Sequence, residues 1–114
     1  MTPFHRRLSI ALGVLALAAP AVADDTMGID QAESRLRACL MAGSSSTGQN
    51  QLEAAVIQAR AYCGAQINRV RDLRVAAATR GLEGHEVEAA KNRAIRQLNS
   101  EIAQAVAHFT GLTL

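Results

Sequence analysis

Apolar residues recur at steps of three and four along three segments of this chain, which is the spacing of amphipathic helices. Polar residues and alanines fill most of the positions between them. The pattern predicts helices over residues of about 31–42, 51–80 and 85–110. Their apolar stripes are, in chain order, Ala32, Leu36, Cys39 and Leu40; then Leu52, Val56, Ala59, Cys63, Ile67, Val70, Leu73 and Ala77; and last Val87, Ala94, Ile95, Leu98, Ile102, Val106 and Phe109.

A four-residue turn between Gly81 and Gly84 separates the two longer helices. So short a connection makes neighbouring helices antiparallel. Residues equidistant from the turn are then level with each other, and most are apolar, as in Ile67 with Leu98, Cys63 with Ile102, and Ala59 with Val106. The predicted fold class is therefore all-α: an antiparallel hairpin of two long helices plus a short N-terminal helix, resembling a three-helix bundle.

The boundaries of the first helix follow from local signals. Asp30 and Glu33 have the spacing of a capping box, which predicts the helix start. Gly43 is predicted to end the helix in a left-handed conformation. Residues 43–50 then form a Ser/Gly linker that is too polar to pack.

Two further glycines have predicted roles in the longer helices. Gly64 lies inside the second helix, where it indicates a kink or a close helix contact. Gly111 is predicted to end the last helix in a left-handed conformation. Leu112 would then fold back onto Val106, as in a Schellman ending.

The first 23 residues have the order of a secretory signal peptide. Arg6 and Arg7 belong to a short basic head, an apolar run covers residues 8–18, and small residues precede Asp24. The apolar run is too short to cross a bilayer. We therefore predict a signal peptide over 1–23, a disordered mature terminus over 24–29 and a helical domain over 30–114. The protein is predicted to be exported, to the periplasm by preference, with secretion as the alternative.

Signal removal changes the charge balance. The whole chain has 12 Lys and Arg against 10 Asp and Glu, and two arginines leave with the signal, so ten of each remain. A neutral mature chain lacks the basic surface of nucleic-acid binders. Nucleic acid is therefore excluded as the expected partner.

Cys39 and Cys63 are the only cysteines of the chain. In an oxidising compartment they are expected to pair within the molecule and to hold the first helix against the middle of the second. A redox pair or a c-type haem would need a C-x-x-C spacing, which is absent. A zinc site would need further ligands.

Other candidate sites are weaker. Arg71, Arg74 and Lys91 cluster near the turn and form a candidate anion contact. His85 with Glu88 has metal-ligand spacing, although acidic residues are also favoured in the first turn of any helix. His108 with Met27 or Met41 has the residue types of a haem axial pair.

The opposite end of the hairpin carries a candidate partner contact. The short first helix leaves this end less protected, and an apolar patch there would indicate a protein interface or self-association. The residues concerned are Leu52, Val56, Phe109 and Leu112, with Met41 close by.

No constellation for catalysis is visible, so the sequence favours binding over chemistry, with no catalytic, metal or cofactor residues assigned. The leading hypothesis is a small exported protein that acts by protein–protein interaction, as a chaperone-like or inhibitor-like module. The alternatives are a structural homo-oligomer that completes a helical bundle and a periplasmic metal or haem carrier.

Overall fold

A computed structural model describes residues 21–46 and 48–113, with side chains from Gly28 onward. Most of the predicted signal peptide lies outside this range. The described residues form four helices and no strand: α1 (Ala21–Ser45), α2 (Leu52–Tyr62), α3 (Gly64–Thr79) and α4 (His85–Thr110). The all-α, bundle-like fold class is confirmed. Within this part of the chain, no helix has the length and apolar character needed to span a membrane.

The start of α1 differs from the prediction. The helix begins at Ala21 and not near residue 31, so residues 24–29 are helical rather than disordered. Gly28 does not interrupt the helix, because one interior glycine costs only about 1 kcal/mol.

The end of α1 also differs, because the helix continues through Gly43 to Ser45. Gly43 is buried, and a Cβ atom built on it would lie 3.0 Å from Cδ1 of Tyr62. Gly43 therefore lets the backbone of α1 approach the Tyr62 ring closely, and it does not end the helix in a left-handed conformation. Gly43 and Ser44 are both buried, so the predicted linker packs in part. The Ser45 hydroxyl donates a hydrogen bond of 2.7 Å to the carbonyl of Met41 in the last turn.

The second predicted helix is divided at Cys63, where the backbone departs from helical geometry at φ −104° and ψ 20°. Hydrogen bonds of 2.9 Å still run from the Cys63 N–H to the Ala59 carbonyl and from the Ile67 N–H to the Cys63 carbonyl. The break is therefore a local bend, next to the glycine that predicted it. A Cβ on Gly64 would meet nothing within 4 Å, so the alternative of a close helix contact there is wrong.

The hairpin and the ends of α4 agree with the prediction. Gly81 and Gly84 both have positive φ, at 76° and 62°, and α4 packs on both α2 and α3. Gly111 is left-handed, and its N–H donates to the Ala107 carbonyl at 2.9 Å. Leu112 does pack against the core, but its N–H donates to the Thr110 hydroxyl at 3.2 Å. A side-chain oxygen thus replaces the carbonyl that a Schellman ending would use.

One apolar core joins all four helices, and its buried members include nearly every residue of the predicted central pairs. Its members are Ala32, Leu36, Leu40, Ala55, Ala59, Cys63, Ile67, Val70, Leu98, Ile102 and Val106. The predicted disulfide is present between Cys39 and Cys63, with Cα atoms 5.8 Å apart. It connects α1 to the junction between α2 and α3, as the sequence predicted.

Candidate functional site

A groove of about 620 Å³ lies between α1 and α4. Its apolar lining consists of Leu36, Leu40, Leu98, Ile102 and Ala105. Its polar lining consists of Glu33, Ser34, Arg37, Arg74, Glu101, Gln104 and His108. The groove therefore combines an apolar floor with charged and amide-bearing walls, a combination common in binding sites.

Helical periodicity explains why these residues meet. Positions 98, 101, 102 and 105 of α4 follow the i, i+3, i+4, i+7 pattern of one helix face. Glu33 and Arg37 of α1 are one turn apart and flank the apolar positions Leu36 and Leu40. The polar residues next to the core stripes therefore lie at the edge of the contact between α1 and α4.

One end of the groove is organised around Arg74 of α3. Its Nε donates to Glu33 of α1 at 2.9 Å, and its Nη1 donates to Glu101 of α4. Burial by itself lowers the pKa of Arg74, but the hydrogen bonds and charges of Glu101 and Glu33 outweigh burial and hold the pKa above its ordinary value. This ion-pair group joins three helices through one guanidinium.

The other end of the groove is cationic. The guanidinium carbon of Arg37 lies 5.5 Å from the centre of the Phe109 ring, within cation–π range. The His108 and Phe109 rings are also 5.5 Å apart, in an edge-on arrangement. Arg37 and His108 are both exposed, so this end presents two basic side chains to solvent.

The structure does not bring the three candidate anion ligands together. Arg71 and Lys91 line a second hollow of about 470 Å³, which also contains Asp72. Asp72 accepts a hydrogen bond of 3.2 Å from Arg71. Arg74 lines the α1–α4 groove instead, where two carboxylates occupy its guanidinium.

The four candidate partner-contact residues lie at the edge of the core. Leu52, Val56, Phe109 and Leu112 are all partly buried and packed against it. The large apolar side chains that are most exposed are Met41, Ile57 and Tyr62, at 52%, 63% and 66%.

The two histidines among the candidate metal and haem ligands are far apart. His85 and His108 stand at opposite ends of α4, about 35 Å apart along its axis at ~1.5 Å per residue. Among the described residues there is no group of three or more His, Cys, Asp or Glu that could hold a metal ion. The side chain of Met27 lies outside the described part of the structure.

Sequence reasoning missed the groove because its walls are charged positions beside apolar stripes, which resemble any solvated helix face. The signal that was available is the one-turn spacing of Glu33 and Arg37 on the side of α1 that carries Leu36 and Leu40. That spacing gives a charged edge to the stripe, but it does not say which helix faces it.

Comparisons with protein-family models, with curated proteins and with solved structures give no match to this chain.

Proposed function

We propose that this chain is a small exported protein-binding module, chaperone-like or inhibitor-like, which receives a segment of a partner protein in the α1–α4 groove. The single observation that carries this proposal is the groove itself, with its apolar floor and polar walls. Peptide segments of partner proteins commonly dock in such grooves between helices. Export is supported by the signal-peptide pattern of residues 1–23.

The groove is a better place to test binding than the predicted apolar end. Leu52 and Val56 pack against the core, so a charged substitution there disturbs folding and binding together. Gln104 lines the groove and is exposed, so its replacement changes the site with little effect on packing.

The test is site-specific photo-crosslinking in the compartment to which the chain is exported. Benzoylphenylalanine replaces Gln104 in one variant and Gln58 in a matched control, since Gln58 is an exposed glutamine of α2 away from the groove. We expect position 104 to give one protein adduct, identified by mass spectrometry, that position 58 does not give. The proposal is contradicted if neither position gives an adduct or if both give the same set.

Self-association is the second candidate function, and the exposed apolar side chains favour it. Met41, Ile57 and Tyr62 each leave more than half of their surface in solvent. Self-association requires that they act together as one apolar patch, since single exposed apolar residues are common on any surface. Sedimentation over a concentration series should then show a dimer or larger species that Ile57→Gln weakens. A monomer at all concentrations removes this candidate.

A further inference from the structure

The two ends of the α1–α4 groove carry opposite charge. At the first end, Glu33 and Glu101 surround the single guanidinium of Arg74, which leaves a net charge of −1. Their side chains are 39% and 44% exposed, whereas that of Arg74 is 23% exposed. The carboxylates therefore face the solvent more than the guanidinium does, and a docked group at this end meets negative charge.

The second end is positive. Arg37 is exposed, and none of the ion pairs among the described side chains includes it. Its guanidinium lies over the face of Phe109, which leaves its donors directed to solvent or to a ligand. His108 adds a second nitrogen base on the same wall.

Helices α1 and α4, which form the two walls of the groove, are parallel. Glu33 and Glu101 share Arg74, while Arg37 lies over Phe109, so residue numbers on α1 and α4 increase together along the groove. At ~1.5 Å per residue, the charged ends are about 6 Å apart along α1 and about 10 Å apart along α4. On a helix docked in the groove, two side chains with the same separation along the axis are four to seven residues apart, at positions i and i+4 through i+7.

From this arrangement, which presupposes the proposed binding function, we infer the kind of segment that the groove accepts. The occupant is an amphipathic helix of a partner protein, with an acidic and a basic side chain at opposite ends of a short apolar stripe. The acidic end lies at Arg37 and His108, and the basic end lies at Glu33 and Glu101. Apolar residues at i+3 and i+4 of that helix cover the floor of the groove.

The test uses three helical peptides that differ only at positions i and i+7 of one apolar face. The first has Glu and Lys there, the second has the two residues exchanged, and the third has Gln at both. Each carries a spin label at one end and is titrated into the isotopically labelled exported protein at low salt. Line broadening of backbone amides then reports both the location and the direction of the peptide.

We expect both charged peptides to bind about threefold to fivefold more tightly than the Gln peptide, as for partly exposed charge pairs. The label should broaden the amides near Arg37 and His108 when it is at the Glu end, and those near Glu33 and Glu101 when it is at the Lys end. Arg37→Glu should abolish this preference. Arg35 is an exposed arginine of α1 outside the groove, so Arg35→Glu serves as the matched control and should leave this preference unchanged.

The outcomes separate the two proposals. Equal binding of all three peptides, or binding of one charged peptide in both orientations, overturns the charge-directed inference and leaves the groove as a protein-binding site. No binding of any peptide, together with a specific adduct at position 104, also overturns the inference alone. No peptide binding and no adduct overturns the proposed function as well.

Discussion

Helix α1 meets the rest of the molecule along two sides that are held in different ways. Toward α2 it is joined by the Cys39–Cys63 bond, and Gly43 lets its backbone approach the ring of Tyr62. Toward α4 it is held through long polar side chains, with Arg74 between two carboxylates and Arg37 over Phe109.

The disulfide and the glycine contact fix α1 directly against α2. On the other side, guanidinium and carboxylate groups at the ends of long side chains line the groove, and apolar residues pack below them. The first side therefore provides stability, and the second side provides a space in which another molecule can bind.

The largest expected effect comes from the covalent side. Replacing both Cys39 and Cys63 by alanine removes a cross-link with a sequence separation of 24 residues. In the chain-entropy account this lowers the free energy of unfolding by about 3.5 kcal/mol. Urea denaturation measures the loss, and the reduced wild-type protein should lose a similar amount. A loss well below 1 kcal/mol would mean that α1 is held mainly by its other contacts.

Removal of the ion-pair group on the open side should cost less. We expect Arg74→Met to lower the free energy of unfolding by about 1 kcal/mol, because Glu33 and Glu101 are partly exposed and regain water. A loss of 3 kcal/mol or more in urea denaturation would show that the groove side is as important for stability as the disulfide side.

The pH dependence of this contribution follows from the raised pKa of Arg74. A group whose pKa is raised by folding stabilises fully below its unfolded pKa and loses the effect only as the pH rises through the folded value. For an arginine that range is strongly alkaline. From neutral pH to about pH 10, we expect the difference in stability between wild type and Arg74→Met to stay constant. A difference that falls within this window would contradict the assignment.

A matched pair of glycine substitutions tests the close contact between α1 and α2. A Cβ on Gly64 meets nothing within 4 Å, so Gly64→Ala should raise the free energy of unfolding by about 0.5 to 1 kcal/mol. Gly43→Ala has the same intrinsic gain but pushes a Cβ to 3.0 Å from Tyr62. It should therefore be the less stable of the two variants in thermal or urea denaturation. Equal stability would mean that the Tyr62 ring moves aside freely.

The smallest expected effect is the loss of the cation–π contact. Arg37→Gln removes the charge above Phe109 at an exposed site, and we expect a loss of about 0.5 kcal/mol in the free energy of unfolding. Arg35→Gln, on the same helix and equally solvent-facing, serves as the control and should change stability less. Identical values for the two variants would leave Arg37 with no measurable stabilising contact.

Local signals in the sequence determined much of this fold. The glycines at 81, 84 and 111 allow positive φ, so they mark the hairpin turn and the end of α4 wherever the helices pack. The chain has only two cysteines, so each has only the other as a partner within the molecule, and the disulfide followed from their number. The apolar stripes placed most of the core residues because a stripe at helical spacing faces inward. The exceptions include Ala55, which is buried off the predicted stripe, and Ala77, which is on it but exposed.

Tertiary structure alone decided the details that create the site. Gly43 has the sequence signature of a helix stop, but the approach of Tyr62 gives it an interior position instead. The sequence predicted that Arg74 clusters with Arg71 and Lys91 near the turn, yet its partners are Glu33 of α1 and Glu101 of α4. Each residue turns a helix by about 100°, so the rotation and register of three helices decide which charged neighbours of the stripes meet across a seam. Those relations connect residues that are distant in the chain, and no local pattern encodes them.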